Sequence, residues 1–80
     1  MRKMIYDRII DMVADQFGVE KETLSRETSF ADDLSADSLD VVELSMTIEE
    51  EFSLGEIAED DLKKIATIGD LVDYVEGATA

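Results

Sequence analysis

Residues 34–52 read LSADSLDVVELSMTIEEEF, and their alternation of apolar and acidic side chains predicts one amphipathic helix. Apolar residues recur there at helical spacing on one face that we expect to lie in the core: Val41, Leu44, Ile48 and Phe52. Asp37 stands at the head of this run, and Asp40 follows three positions later, as in a capping box. The helix is therefore predicted to begin near Asp37 and to end at about Phe52.

The rest of the chain carries three further helical patterns. Apolar residues recur at helical spacing over 5–17, a short helical piece is predicted around 59–65, and Thr-x-x-Asp at 67–70 opens a final helix that should end before 77–80. Residues 18–36 show no sustained period, which indicates a long ordered loop. No segment alternates like a half-buried strand. The predicted fold class is all-α, a small bundle of three main helices plus one short helix.

Length and composition narrow the classes of protein. Eighty residues predict a single domain over 1–80. The chain has no cysteine and no histidine, which excludes disulfides and removes the commonest metal ligand and general base. It also has no run of 18 apolar residues that could span a membrane, and no signal peptide follows Met1. We therefore expect a cytoplasmic protein that is not an enzyme.

The charge is strongly negative and concentrated in the middle of the chain. The formal net charge is −14, and no lysine or arginine occurs from Glu27 to Leu62, an interval that holds thirteen acidic residues. Such a surface repels nucleic acid and anionic membranes and attracts partners with basic patches. The alternative, that the acidity serves only solubility, stays open at this point.

A second apolar stripe lies beside the core face of the predicted helix at 37–52. It consists of Leu39, Val42 and Met46. Either these residues widen the buried face, as apolar stripes commonly do, or Leu39 and Met46 are exposed apolar anchors among acidic side chains. The pattern alone leaves both interpretations open.

Ser38 stands in the first turn of the same helix. Without histidine it cannot belong to a Ser-His-Asp triad, but unpaired N–H groups and the helix dipole there favour an attached anion such as phosphate. The alternative is an ordinary helix-start residue.

A calcium loop starting at Asp33 would need Gly at position 38 and Glu at position 44, where Ser38 and Leu44 stand, so we expect no metal site.

Residues 30–52, FADDLSADSLDVVELSMTIEEEF, closely resemble the acyl carrier proteins, whose Asp-Ser-Leu motif matches Asp37-Ser38-Leu39. The resemblance extends from the helix at 5–17 to the closing IGDLVDYV. It implies that Ser38 receives 4′-phosphopantetheine, with Asp37 and Leu39 beside it, from a phosphopantetheinyl transferase (holo-acyl-carrier-protein synthase). The thiol of that arm would carry acyl chains as thioesters between fatty acid biosynthesis enzymes.

The resemblance also implies two further sets of site residues. Basic patches on partner enzymes would meet a docking set on a monomeric carrier: Asp37, Leu39, Asp40, Val41, Glu43, Met46, Glu49 and Glu50. The acyl chain would fold back among a second set between the helices: Phe30, Leu44, Ile48, Ile57, Ile65 and Leu71.

Three departures from the family pattern leave the subclass open. Ser35 stands where many fatty acid carriers have Gly, Ala58 stands where Pro often follows the Ile, and the turn from Ser53 to Glu56 is slightly long. A specialised carrier for polyketide, aminoacyl or other groups is therefore one alternative. A non-covalent acidic adaptor that never bears an arm is the other.

Overall fold

The computed structural model describes residues 2–79, with side chains from residue 4 onward, and confirms the predicted all-α class. A 3₁₀ turn at Lys21–Thr23 interrupts the long loop that joins the first two helices. In chain order the helices are α1 (Arg2–Phe17), α2 (Ser38–Phe52), α3 (Glu59–Lys64) and α4 (Ile68–Thr79). Among these described helices, none is long and apolar enough to cross a membrane.

The core lies between α1, α2 and α4, the three long helices. Its fully buried large side chains come from those helices alone: Ile9, Val13, Leu44, Ile48, Ile68, Val72 and Val75. They recur three or four positions apart within each helix, as the sequence pattern predicted. α3 contributes no fully buried residue, so this short helix lies against the bundle as a cover over one side of α2.

The final helix is longer than predicted. The sequence analysis ended it before Gly77, but α4 continues through that residue to Thr79. Ala78 is a strong helix former, and the Thr79 hydroxyl donates to the Val75 carbonyl at 2.9 Å, which closes the last turn. A single glycine without a following proline was therefore not enough to stop the helix.

The long loop is fixed to the junction between α3 and α4 by a short backbone ladder. An isolated antiparallel bridge joins Ser29 to Thr67. Three backbone hydrogen bonds flank it: Phe30 N–H to Ala66 at 3.1 Å, Ile68 N–H to Thr28 at 3.0 Å and Gly69 N–H to Arg26 at 2.9 Å. This ladder gives the loop a defined path toward the start of α2.

Candidate functional site

The start of α2 is fixed by two reciprocal hydrogen bonds. The Asp37 carboxylate accepts from the Asp40 backbone N–H at 3.0 Å, and the Asp40 carboxylate accepts from the Asp37 N–H at 3.2 Å. This is the capping box predicted from the spacing of the two acids. It places Ser38 as the first helical residue, with its side chain exposed to solvent.

The loop before Ser38 turns sharply to reach this position. Ser35 has φ of 53°, in the left-handed region, and the next residue, Ala36, donates its N–H to the Phe30 carbonyl at 2.8 Å. Phe30 itself is buried and anchors the loop in the core. The turn thus sets Ser38 at the edge of the bundle, directly above buried side chains.

Ser38 lines an open groove of about 480 Å³ between the loop, α2 and α3. Asp37 and Lys63 are among the polar residues of its wall. Its apolar part comes from three elements and includes four large residues that also reach deeper: Phe30, Val41, Leu62 and Ile65. An exposed hydroxyl therefore stands beside an apolar surface that leads toward the interior.

The same four apolar residues also line a small cavity deeper between α2, α3 and α4. The deeper wall adds Leu44, Ser45, Ile48 and Leu71. The cavity measures about 10 Å³, no more than the space that one water molecule requires. Groove and cavity thus share a wall of four apolar residues, and the cavity behind that wall is almost closed.

Most residues of the predicted acyl-chain set lie together around this inner cavity. Phe30, Leu44, Ile48, Ile65 and Leu71 line the inner cavity together. Ile57 is buried but does not line it. The predicted acyl-chain set did not include Leu62, which lies on the short helix. It also missed Ser45, because a polar side chain gives no signal in an apolar pattern.

The second apolar stripe of α2 faces solvent. Leu39 is 70% exposed, Met46 51% and Val42 41%. Since these side chains are exposed, they do not widen the buried face of the helix. Acidic side chains that are also exposed surround them: Asp37, Glu43 and Glu50.

Three residues of the predicted docking set are instead half-buried. Asp40 is engaged in the capping box, and Val41 points to the groove and the inner cavity. The Glu49 carboxylate accepts from the Ile57 backbone N–H at 2.7 Å, which fastens the segment before α3 to α2. The sequence pattern predicted the capping role of Asp40 and the inward position of Val41, but it did not indicate the contact that Glu49 makes.

The arrangement is suited to receiving a group rather than to transforming one. The chain contains no histidine that could deprotonate the Ser38 hydroxyl. Within residues 2–79, no cluster of three acidic side chains is placed to hold a metal ion.

Comparison with known proteins decides the family. A family model described as a phosphopantetheine attachment site matches residues 7–75. The chain is also 42% identical over 76 residues to an acyl carrier protein from Clostridium acetobutylicum, which covers 95% of this chain and 97% of that one. The chain belongs to the acyl carrier protein family.

The fold of this acyl carrier protein agrees with that assignment. A solved structure of an acyl carrier protein from Enterococcus faecalis, described for its high thermal stability, superposes with a TM-score of 0.81. The two chains are 31% identical, and the match covers 98% of each.

Several statements follow from membership of the family. The protein is a carrier and not an enzyme, and its cofactor is 4′-phosphopantetheine. The family implies two classes of partner, a phosphopantetheinyl transferase and enzymes that act on carrier-bound acyl groups. The exposed hydroxyl of Ser38, at a helix N-terminus and beside an apolar groove, fits a group that combines a phosphate with a long chain.

Proposed function

We propose that Ser38 bears 4′-phosphopantetheine through a phosphodiester, and that residues 1–80 form one carrier domain for fatty acid biosynthesis. The observation that carries the proposal is the position of Ser38, exposed at the first turn of α2 and lining the groove. In the transfer, the serine oxygen bonds to the phosphorus on the pantetheine side of coenzyme A, the pyrophosphate bond breaks, and adenosine 3′,5′-bisphosphate leaves. The serine proton passes to a base of the transferase. The arm supplies the thiol that a chain without cysteine lacks.

The exposed stripe of α2 is the proposed docking surface for partner enzymes. Its apolar contacts would be Leu39 and Met46, both more than half exposed. Acidic side chains around them would attract basic patches and raise the rate of encounter more than the affinity. Rapid and reversible contact of this kind suits a carrier that visits many enzymes as a cytoplasmic monomer.

The path from groove to inner cavity is the proposed route of the acyl chain. Its apolar residues lie on both sides of the boundary between α2 and α3. Because α3 has no fully buried residue of its own, its displacement exposes less core than displacement of any long helix would. A chain could therefore enter by separating α3 from α2.

Intact mass tests the attachment. The protein is incubated with coenzyme A, magnesium and a broad-specificity phosphopantetheinyl transferase, beside Ser38→Ala and the matched control Ser35→Ala. We expect a phosphopantetheine mass gain in the wild type and in Ser35→Ala, and none in Ser38→Ala. If the apo protein gained no mass with a transferase active on another carrier, the proposal would fail and a non-covalent adaptor would take its place.

A second experiment tests the docking surface. Met46→Ala and Glu43→Gln are compared with Met4→Ala, which also truncates an exposed methionine but lies on α1. We expect the α2 variants to lower kcat/KM for the transferase, with Glu43→Gln losing its effect at high salt, and Met4→Ala to change nothing. Equal effects of the two methionine variants would contradict the assignment of this face.

A further inference from the structure

One basic side chain lines the groove beside Ser38. The charged residues of the groove wall are Asp37, Glu59 and Lys63, so Lys63 is the single positive charge among them. Lys64, its neighbour in α3, does not line the groove. The protein has 21 acidic and only seven basic side chains. A lysine in this groove can therefore attract an attached anion that the surrounding carboxylates repel.

The groove needs such a charge once a phosphodiester is attached to Ser38. The phosphodiester adds a negative charge close to Asp37 and in the same groove as Glu59. The N-terminus of α2 offers less compensation than an uncapped helix would, because the Asp37 carboxylate already occupies the Asp40 N–H. Lys63 is left as the side chain that can oppose the added repulsion.

The present partner of Lys63 does not hold it firmly. Its ammonium lies 4.0 Å from a Glu59 carboxylate oxygen, at the limit of an ion pair, and both side chains are more than 70% exposed. Exposed pairs at this spacing contribute little to the stability of a helix. A phosphate oxygen can therefore replace Glu59 at little cost.

We propose that Lys63 is a positioning residue that pairs with the phosphate of the arm and keeps the arm along the groove. The inference rests on the proposed attachment at Ser38. The pairing would hold the first part of the arm against the α2–α3 boundary, where the path to the inner cavity begins. Lys63 would in this way favour entry of the acyl chain over its exposure to solvent.

Competitive lysine acetylation tests the pairing directly. Apo and holo proteins, each verified by intact mass, are treated with limiting acetic anhydride at low salt, and fragment spectra give the ratio of labelling at Lys63 to that at Lys64. We expect the ratio to fall about two- to fivefold in the holo protein, as an exposed ion pair would produce. The difference should vanish in 0.5 M salt. An unchanged ratio in fully converted protein would overturn the inference and leave the attachment at Ser38 intact.

Melting temperatures of matched variants provide the second readout. Lys63→Gln and Lys64→Gln remove the same charge from adjacent positions of α3. We expect the holo-minus-apo difference in Tm to fall by about 1–5 °C in Lys63→Gln and to match the wild type in Lys64→Gln. An equal change in both variants would indicate net charge alone and overturn the pairing. Absence of the mass gain itself would count against the proposed attachment instead.

Discussion

Ser35 holds a backbone conformation that residues with a side chain seldom adopt, with φ of 53°. The left-handed region costs an ordinary residue roughly 1–2 kcal/mol, and glycine avoids that cost. Glycine also makes the unfolded chain more flexible, which offsets about 0.4–1 kcal/mol of the gain. We therefore expect Ser35→Gly to leave Tm unchanged or to raise it, as measured by thermal unfolding.

Ala31 provides the control for this variant. It is exposed in the same loop, and its φ is not positive. Ala31→Gly has only the unfolded-state effect and should lower the stability by about 0.4–1 kcal/mol. A clear loss of Tm in Ser35→Gly would mean that the Ser35 side chain contributes a contact that outweighs the backbone strain.

Gly69 is required by a close backbone approach rather than by its φ. A Cβ at this position would lie 3.0 Å from the Arg26 carbonyl oxygen and 3.2 Å from the Arg26 Cβ. The Gly69 N–H donates to that same carbonyl, so the loop cannot move away without losing the hydrogen bond. We expect Gly69→Ala to lower the free energy of unfolding by about 1–3 kcal/mol in denaturant titrations.

Gly77 is the matched control, since it lies in the same helix with nothing within 4 Å of a built Cβ. Gly77→Ala should raise stability by up to about 1 kcal/mol because alanine is the better helix former. If both alanine substitutions raised stability equally, the loop at Arg26 would have to move aside easily, and the approach at Gly69 would not be tight.

At the level of helices and their connections, Glu49 ties the segment before α3 to α2 through the Ile57 N–H. We expect Glu49→Ala to lower Tm, since a partly buried N–H is left without its acceptor, at a cost of about 1–3 kcal/mol. Glu49→Gln retains an acceptor oxygen and should lose less. Glu50→Ala, at the exposed neighbouring position, should be close to wild type in thermal unfolding. If Glu49→Ala had the same Tm as the wild type, the hydrogen bond to Ile57 would not stabilise the fold, and docking would be the only role left for Glu49.

The capping box of α4 makes stability depend on pH. The Asp70 carboxylate accepts from the Ala66 and Thr67 backbone N–H groups at 3.0 and 3.2 Å, and these bonds lower the pKa of Asp70 below its ordinary value. A lowered folded-state pKa contributes stability above the unfolded pKa of about 3.9 and loses it as the pH falls through the folded value.

Asp70→Asn tests this dependence. At pH 7 the variant should be less stable than the wild type by about 0.3–1.5 kcal/mol, the usual contribution of a helix cap. The difference in free energy of unfolding between wild type and variant should become smaller as the pH falls below about 4, because the wild-type carboxylate then loses its charge. Denaturant titrations at pH 7, 5 and 3 measure it. A difference that stays constant over this range would show that the charge of Asp70 is not what matters.

The helices could be predicted from the sequence because their signals are local. The Asp37–Asp40 and Thr67–Asp70 spacings placed two helix starts correctly, and apolar periodicity identified the buried faces. The groove, the tie between Glu49 and Ile57 and the left-handed Ser35 all depend on how distant segments meet. Such contacts produce no periodic pattern in the sequence, and for this reason the sequence analysis missed Ser45 and the structural role of Glu49.

At the scale of the whole molecule, self-repulsion opposes the fold. The molecule measures 27 × 26 × 18 Å, so at 10 mM ionic strength, where screening extends about 30 Å, every acidic group repels every other. Among the described residues, ion pairs such as Arg8–Glu51, Lys21–Asp11 and Arg26–Asp73 act in the opposite sense, but acidic groups outnumber basic ones threefold.

Added salt should therefore stabilise the protein. We expect Tm to rise between 10 mM and 0.5 M NaCl, and to rise further with millimolar Mg²⁺ at constant ionic strength, as scanning calorimetry would measure. The control is a neutral osmolyte at equal osmolality, which leaves charge interactions unscreened. An unchanged or lower Tm in salt would mean that the ion pairs dominate and that the negative surface does not strain the fold.

The closed state of the inner cavity sets a threshold for what the carrier can enclose. With about 10 Å³ available, even the first methylene groups of an acyl chain must separate α3 from α2 before they can enter the inner cavity. Each methylene then contributes about 0.8 kcal/mol. The free-energy cost of separating the helices is incurred only once, while the free energy gained by burial grows with every carbon of the chain. Short chains should therefore stay outside and longer ones should enter, so that a gradual change in length becomes an abrupt change in accessibility of the thioester.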